Sequence, residues 1–170
     1  MQFLDMPVRI AKRHMKQHQN VLPILDEAFW LITNFNQDQV TRMTKPAGQA
    51  TILTLNFGRI IGKCECVETT TEDEIVYAIR RERDRHMRFV KNREMTETRE
   101  LTLILFRHAD HWKLVSGWFG GQAAREPQDP NTSPEERIEA YEFWTHHALV
   151  WGCQRVREET ITETCPWSQL

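Results

Sequence analysis

The sequence lacks the features that would assign it to a membrane or to a secreted fold. It has no apolar run long enough to span a bilayer, and its first twenty residues contain no apolar segment of the kind that directs secretion. Four cysteines in 170 residues are too few for a disulfide scaffold. We therefore expect a protein of the reducing cytoplasm with no membrane partner.

Motifs of familiar catalytic and nucleotide sites are also missing. The chain contains no P-loop, no G-x-G-x-x-G, no H-E-x-x-H and no G-x-S-x-G. Cys64 and Cys66 are separated by one residue and have no second close pair, whereas structural zinc sites use gaps of about two to four residues. We interpret the cysteines as reduced thiols and expect neither a metal nor a cofactor.

What the sequence does have is an uneven distribution of charge. The stretch RRERDRHMRFVKNR, residues 80 to 93, holds seven Arg or Lys residues against two acids, in a chain whose formal net charge is −2. This local excess of five means that the rest of the chain sums to −7. Such polarity lets a protein attract an anion at one place without binding anions everywhere.

Apolar periodicity predicts helices at both ends of the chain and strands between them. A basic helix over about Pro7 to His18 and an apolar helix starting near Pro23 account for a helical part, residues 1–48. Strand patterns follow over residues 50–120, in ATILTLNF, in RIIGKCECVET and in a hairpin made by ELTLILFR and WKLVSGWFG.

A closing helix is predicted over residues 133–152, followed by a tail over 153–170. Ser133, Pro134 and Glu136 form a capping box with proline at the first helical position, and Gly152 is placed to end the helix. The fold class we predict is α+β in a single globular domain over residues 1–170. N-terminal helices and one C-terminal helix would pack on a central antiparallel sheet of about four to five strands.

The segment from Glu74 to Val90 has two interpretations. Thr71 and Glu74 could cap a helix, whereas Ile75, Tyr77 and Ile79 alternate as in a strand. After Ile79 the helical stripe almost vanishes, so a long helix would have little to bury. We favour a strand to about residue 81, followed by an irregular basic loop.

The order of motifs over about residues 58 to 152 resembles uncharacterised proteins of phages and mobile elements. The resemblance rests on a strand with tyrosine and arginine, the basic RFVKNR, the SGWFG strand, a proline-rich loop and the closing EFWTHHALVW. Helices followed by a small antiparallel sheet with basic groups also resemble, more distantly, the barnase, EndoU, colicin and RelE-like ribonuclease grouping. That second resemblance implies metal-independent cleavage of RNA.

Such cleavage needs a base, an acid and cations that stabilise the charged phosphorane. By this hypothesis His86 and His147 share proton transfer, and Arg88 and Ser116 complete the catalytic group. Phosphate binding is assigned to Arg80, Arg83, Lys91, Arg93 and Thr98. RNA or another phosphate-bearing ligand is then the partner.

Each assignment has a structural alternative that the sequence leaves open. His86 can be a solvated surface residue, and His147 can be packed and hydrogen-bonded to backbone. The basic stretch can be a solvated face or a docking patch of a non-enzymatic module, such as an antitoxin, an immunity protein or a phage adaptor with a protein partner. A third alternative is an enzyme that acts on a small phosphorylated ligand. A catalyst requires its groups to converge in a cleft, whereas a docking patch can be flat.

Overall fold

The computed structural model describes residues 1–35 and 37–167 and divides the chain into two compact units. The first unit contains Met1–Gly62 and Thr98–Gln122, and the second contains Lys63–Glu97 and Ala123–Leu170. Both units combine helix with sheet, which confirms the α+β class. The single globular domain stays a prediction, because compactness by itself does not determine whether two units unfold together.

Strands lie at the start of the chain, between its N-terminal helices and its last α-helix, and after that helix. In chain order they are β1 (Gln2–Phe3), β2 (Met6–Ile10), α1 (Lys12–Met15), a 3-10 helix (Lys16–Ile24), α2 (Leu25–Phe35), α3 (Gln37–Met43), β3 (Ala50–Asn56), β4 (Gly62–Cys64), β5 (Cys66–Glu68), β6 (Ile75–Ile79), β7 (His86–Val90), β8 (Thr96–Thr98), β9 (Glu100–Arg107), β10 (Trp112–Phe119), α4 (Pro134–His146), β11 (His147–Val150) and a second 3-10 helix (Glu158–Thr160). Among the described residues, no helix has the length and apolar character needed to cross a bilayer.

The first unit is built on a five-stranded sheet in the order β1, β2, β10, β9, β3. Strands β9 and β10 form the predicted hairpin, with an irregularity in register between Leu114 and Ser116. The apolar side of α2 packs on this sheet, as the predicted second helix requires. Residues from both share one buried core: Ala28, Phe29, Ile32, Leu53, Leu101, Leu103, Leu105 and Leu114.

The N-terminal part predicted as helical over residues 1–48 contains helices over 12–35 and 37–43, but its first segment is not helical. The chain begins with two strands, and only Lys12–Met15 of the expected basic helix is α-helical. Met6, Val8 and Ile10 are more buried than the residues between them, which is the period of a strand. Strand β2 pairs in parallel with β10, a contact across about a hundred residues that no local pattern reveals.

The second unit is built on a separate four-stranded sheet in the order β5, β11, β7, β6. The prediction of one antiparallel sheet over residues 50–120 was therefore wrong, and each of these two sheets also contains one parallel pair. The expected strand at Glu74 to Arg81 is confirmed as β6. RIIGKCECVET is divided into β4 and β5 at Glu65, and β4 pairs with β8 in a small sheet of its own.

Part of the predicted basic loop is a strand. In β7, the buried Met87 and Phe89 alternate with the half-buried His86 and Arg88. The strand pairs with β6, which sets Arg88 opposite Tyr77. The strand has five residues and follows a run of charged residues, so its alternation was too short to identify from the sequence.

The closing helix ends six residues earlier than predicted. Its capping box is confirmed, because Ser133 accepts from the Glu136 N–H and Glu136 accepts from the Ser133 N–H. From His147 the chain is extended as β11, whose Ala148, Leu149 and Val150 are buried between β5 and β7. Residues 147–150 of the predicted helix therefore belong to a strand.

The predicted tail, as far as residue 167, is also a folded part of the second unit, and residues 168–170 lie outside the described residues. Thr162 exchanges backbone hydrogen bonds with Tyr77, and Arg157 donates its N–H to the Ile79 carbonyl at 2.9 Å. This segment thereby lines the outer edge of β6. Helix α4 contributes Ala140 and Trp144 to the core that contains Met87, Phe89 and Leu149.

Candidate anion-binding site

The most basic part of the second unit is the loop between β6 and β7, residues 80–85. The loop turns tightly, with the Arg83 N–H donating to the Arg80 carbonyl at 2.9 Å. The Arg81 N–H donates to the Arg155 carbonyl at 3.0 Å. These backbone hydrogen bonds fix the loop against the C-terminal segment, so its arginine side chains start from a defined backbone.

An open surface depression of about 440 Å³ lies on this loop and is called here the arginine depression. Arg157 secures one side of it, because its guanidinium donates to the Arg83 carbonyl at 2.7 Å. Arg81 is exposed and has no ion pair with any residue that the structure describes. The lining residues are Arg81, Glu82, Arg83, Asp84, Arg85 and Arg157.

Beside the depression, three arginines converge on one carboxylate, an arrangement called here the Glu126 cluster. Arg80 is ion-paired with Glu126, whose side chain is only 18% exposed. Nε of Arg83 lies 3.4 Å from Oε1 of Glu126, and Nε of Arg85 donates to Oε2 at 2.8 Å. Arg83 and Arg85 therefore belong both to the cluster and to the depression.

The Arg80 guanidinium is largely buried and lies near two other arginines. Burial, reinforced by repulsion from Arg83 and Arg85, lowers the pKa of the Arg80 guanidinium to about 10. Its Nε is buried without a hydrogen-bond partner, although its Nη1 donates to Gln154 at 2.8 Å. The site thus holds more guanidinium groups than one carboxylate can satisfy.

Arg88, predicted to be catalytic, is bound to neutral acceptors. Its Nη1 donates to Oγ1 of Thr69 at 2.8 Å and to the His147 carbonyl at 3.0 Å. That carbonyl lies just beyond the C-terminus of α4, where the helix dipole favours a cation. Arg88 therefore joins the end of α4 to β7.

The two predicted catalytic histidines lie on opposite faces of the four-stranded sheet. His86 shares a face with Arg88, and its Nε2 is 3.3 Å from the Thr160 carbonyl oxygen. Leu149 is in register with Phe89, so alternation places His147 on the Phe89 face. His147 stacks on Phe143, and its Nδ1 lies 3.0 Å from the Phe143 carbonyl, which is the packed alternative.

Other predicted phosphate ligands are engaged locally. Arg93 pairs with Asp73 at 3.3 Å. Lys91 is exposed, and its Nζ lies 5.9 Å from the ring centroid of Trp151. Each is held by a partner of its own, away from the lining of the arginine depression.

Ser116 and Thr98 belong to the first unit, whereas the other predicted site residues belong to the second. Ser116 is buried in β10, with its Oγ 3.4 Å from Nε2 of His18. Thr98 accepts from the Glu100 N–H at 3.1 Å. Gly117, which follows Ser116 in β10, packs closely on the neighbouring strand. A Cβ at this position would lie 2.9 Å from Cδ2 of Leu103.

Sequence reasoning did not assign Arg81, Arg85, Glu126 or Arg157 to the site, nor the lining acids Glu82 and Asp84. The first two lie within the basic stretch and were not singled out from it. Glu126 comes from the proline-rich loop and Arg157 from the predicted tail. No local signal links these segments, since the contacts that join them span 41 and 74 residues.

Within the described residues, no group of three or more His, Cys, Asp or Glu side chains is arranged to hold a metal ion. None of the four cysteines, all of which the structure describes, forms a disulfide. Comparison with protein-family models, curated proteins and solved structures found no match to this chain. The function must therefore be argued from the arginine site itself.

Proposed function

We propose that this protein is a non-enzymatic binding module that docks a phosphate-bearing partner on the arginine depression. The observation that carries the proposal is the set of side chains lining that surface. Four are arginines and two are carboxylates, so none of the six described lining residues offers an imidazole or a hydroxyl for proton transfer. An open surface of this composition suits binding more than it suits catalysis.

Phosphate is favoured over other anions because all four cationic lining groups are arginine. A guanidinium presents a planar fork of donors that matches two phosphate oxygens, whereas a lysine acts as a point charge. Arg81 has no ion pair among the described residues and is therefore the first group available to a ligand. The acidic remainder of the chain would limit nonspecific binding of polyanions.

Fluorescence anisotropy with a labelled single-stranded RNA tests this proposal. We expect Arg81→Ala to weaken binding by about fivefold to tenfold and to reduce the slope against salt by about one. Arg137→Ala removes an exposed arginine of α4 in the same unit and should leave binding unchanged. Equal RNA affinities of the two variants would show that the arginine depression is not the RNA-binding site. Tighter binding of an acidic polypeptide than of RNA would replace the phosphate-bearing partner with a protein.

A metal-independent ribonuclease is the second candidate, supported by the placement of His86 and Arg88. The two lie on the same face of β7, and Arg88 also bonds the Thr69 hydroxyl. This candidate predicts that the purified protein cleaves RNA in the presence of EDTA, and that His86→Ala lowers turnover with little change in RNA binding. Absence of cleavage by the parent protein would eliminate it.

A further inference from the structure

Glu126 lies where three guanidinium groups meet, which is also how proteins hold a phosphate. Its Oε1 contacts Arg80 and Arg83, and its Oε2 accepts from Arg85. Because both oxygens of the Glu126 carboxylate accept from arginines, they have little capacity to accept from other donors. The carboxylate therefore occupies donors that an external anion would otherwise use.

The segment that carries Glu126 is shaped to present acids to these arginines. The Asp129 N–H donates to the Glu126 carbonyl at 3.2 Å, and Gln128 has a left-handed φ of 62°. This turn also brings Oδ2 of Asp129 to 3.7 Å from Arg85. Trp144 anchors the start of the segment by donating its Nε1–H to the Arg125 carbonyl at 2.8 Å.

The Glu126 cluster has one guanidinium donor left for an additional acceptor. Glu126 contacts all three arginines, and Arg85 also pairs with Asp84 at 3.2 Å and lies 3.7 Å from Asp129. The Nε of Arg80 remains without a partner. A dianion with three free oxygens would satisfy more of these donors than a carboxylate does.

We infer that Glu126 is an internal competitor for phosphate, which a phosphomonoester dianion displaces when the ligand binds the shared residues Arg83 and Arg85. This inference rests on the proposed binding function and specifies its ligand. Glu126 competes at the high effective concentration of a group within the same chain. A phosphodiester offers two free oxygens to these donors, whereas a terminal phosphate offers three and is therefore the preferred ligand.

Calorimetric titration with inorganic phosphate tests the competition directly. Glu126→Gln keeps the shape of the side chain and removes its charge, and we expect phosphate to bind this variant about tenfold or more tightly than the parent. Asp73→Asn neutralises the partner of Arg93 elsewhere in the unit and should not change phosphate affinity. Asp129→Asn, which lies farther from Arg85, should produce a smaller increase of about twofold to threefold.

If Glu126→Gln lowers the stability of the fold, the melting temperature with and without phosphate still measures binding to the folded variant. Phosphate should then raise the melting temperature of the variant by more than it raises that of the parent. An equal or smaller rise, or unchanged phosphate affinity, would overturn the competitor role.

Arg81-dependent RNA binding separates this inference from the proposed function. If Arg81-dependent RNA binding persists while Glu126→Gln does not change phosphate affinity, only the competitor role of Glu126 is rejected. If neither protein binds phosphate or RNA, the proposed function fails as well. A 5′-phosphorylated RNA that binds no better than its 5′-hydroxyl form would contradict the preference for a terminal phosphate.

Discussion

Arginines that are close in sequence have different roles in this protein. Arg80 and Arg85 pair with Glu126, and their side chains are only 20% and 17% exposed. Arg93 is paired with Asp73. Arg81 remains exposed and has no ion pair in the described part of the chain. A local charge excess in sequence therefore overstates the charge that a ligand meets, since part of it is neutralised by acids from distant segments.

Asp73 provides a prediction of pH dependence at the residue scale. A hydrogen bond from the Thr70 N–H and the charge of Arg93 hold the pKa of Asp73 below its ordinary value of 3.8, against the opposing effect of desolvation. Because the folded pKa is the lower one, the stability from this group is fully present above about pH 4 and is lost as the pH falls through the folded pKa.

Urea unfolding of the parent and Asp73→Asn over the acidic range measures this contribution. The difference in unfolding free energy between the two should shrink as the pH falls below 4. A difference that stays constant with pH would show that Asp73 titrates alike in the folded and unfolded chains.

At the element scale, strands with strong local alternation could be predicted and strands defined by distant partners could not. The β9 and β10 hairpin was identified because both strands alternate and are joined by a short turn. Strand β7 was missed because His86 and Arg88 occupy every second position of a short strand. In β11, apolar Ala148 fits a helical stripe and a strand equally well, so only pairing with β5 and β7 decides.

Helix α4 depends on its capping box for a defined start. Ser133→Ala removes the side-chain acceptor of the Glu136 N–H, and we expect a loss of about 1 kcal/mol in unfolding free energy. Glu139→Ala, on the exposed side of the same helix, should change stability by less than about 0.5 kcal/mol. Denaturant unfolding of both variants measures the difference, and equal stabilities would contradict a stabilising cap.

At the scale of the whole molecule, each compact unit is assembled from two separate chain segments. The class α+β could be predicted, since it needs only the types of element. The division into units and the arginine site could not, because residues 80–85, Glu126 and Arg157 meet only after distant segments pack. Ser116 and Thr98 were assigned to the site from the sequence, but they belong to the first unit. The sequence alone does not show which segments form each unit.

The interleaved segments predict cooperative unfolding. Neither unit is a continuous piece of chain, so disrupting one releases the ends of a segment belonging to the other and increases its loop entropy. We expect one calorimetric transition with equal calorimetric and van't Hoff enthalpies, as the single-domain prediction requires. Two resolved transitions would instead make the units independent domains.

The most direct test of the central claim is a titration of the protein with inorganic phosphate, followed by NMR of the arginine side-chain Nε–H groups. The account predicts saturable shifts at the lining arginines of the depression, with Arg81 among the largest, and little change at Arg93 and Arg137. Saturable shifts confined to arginines outside the depression, or no saturable shift at any arginine, would contradict phosphate binding at this site.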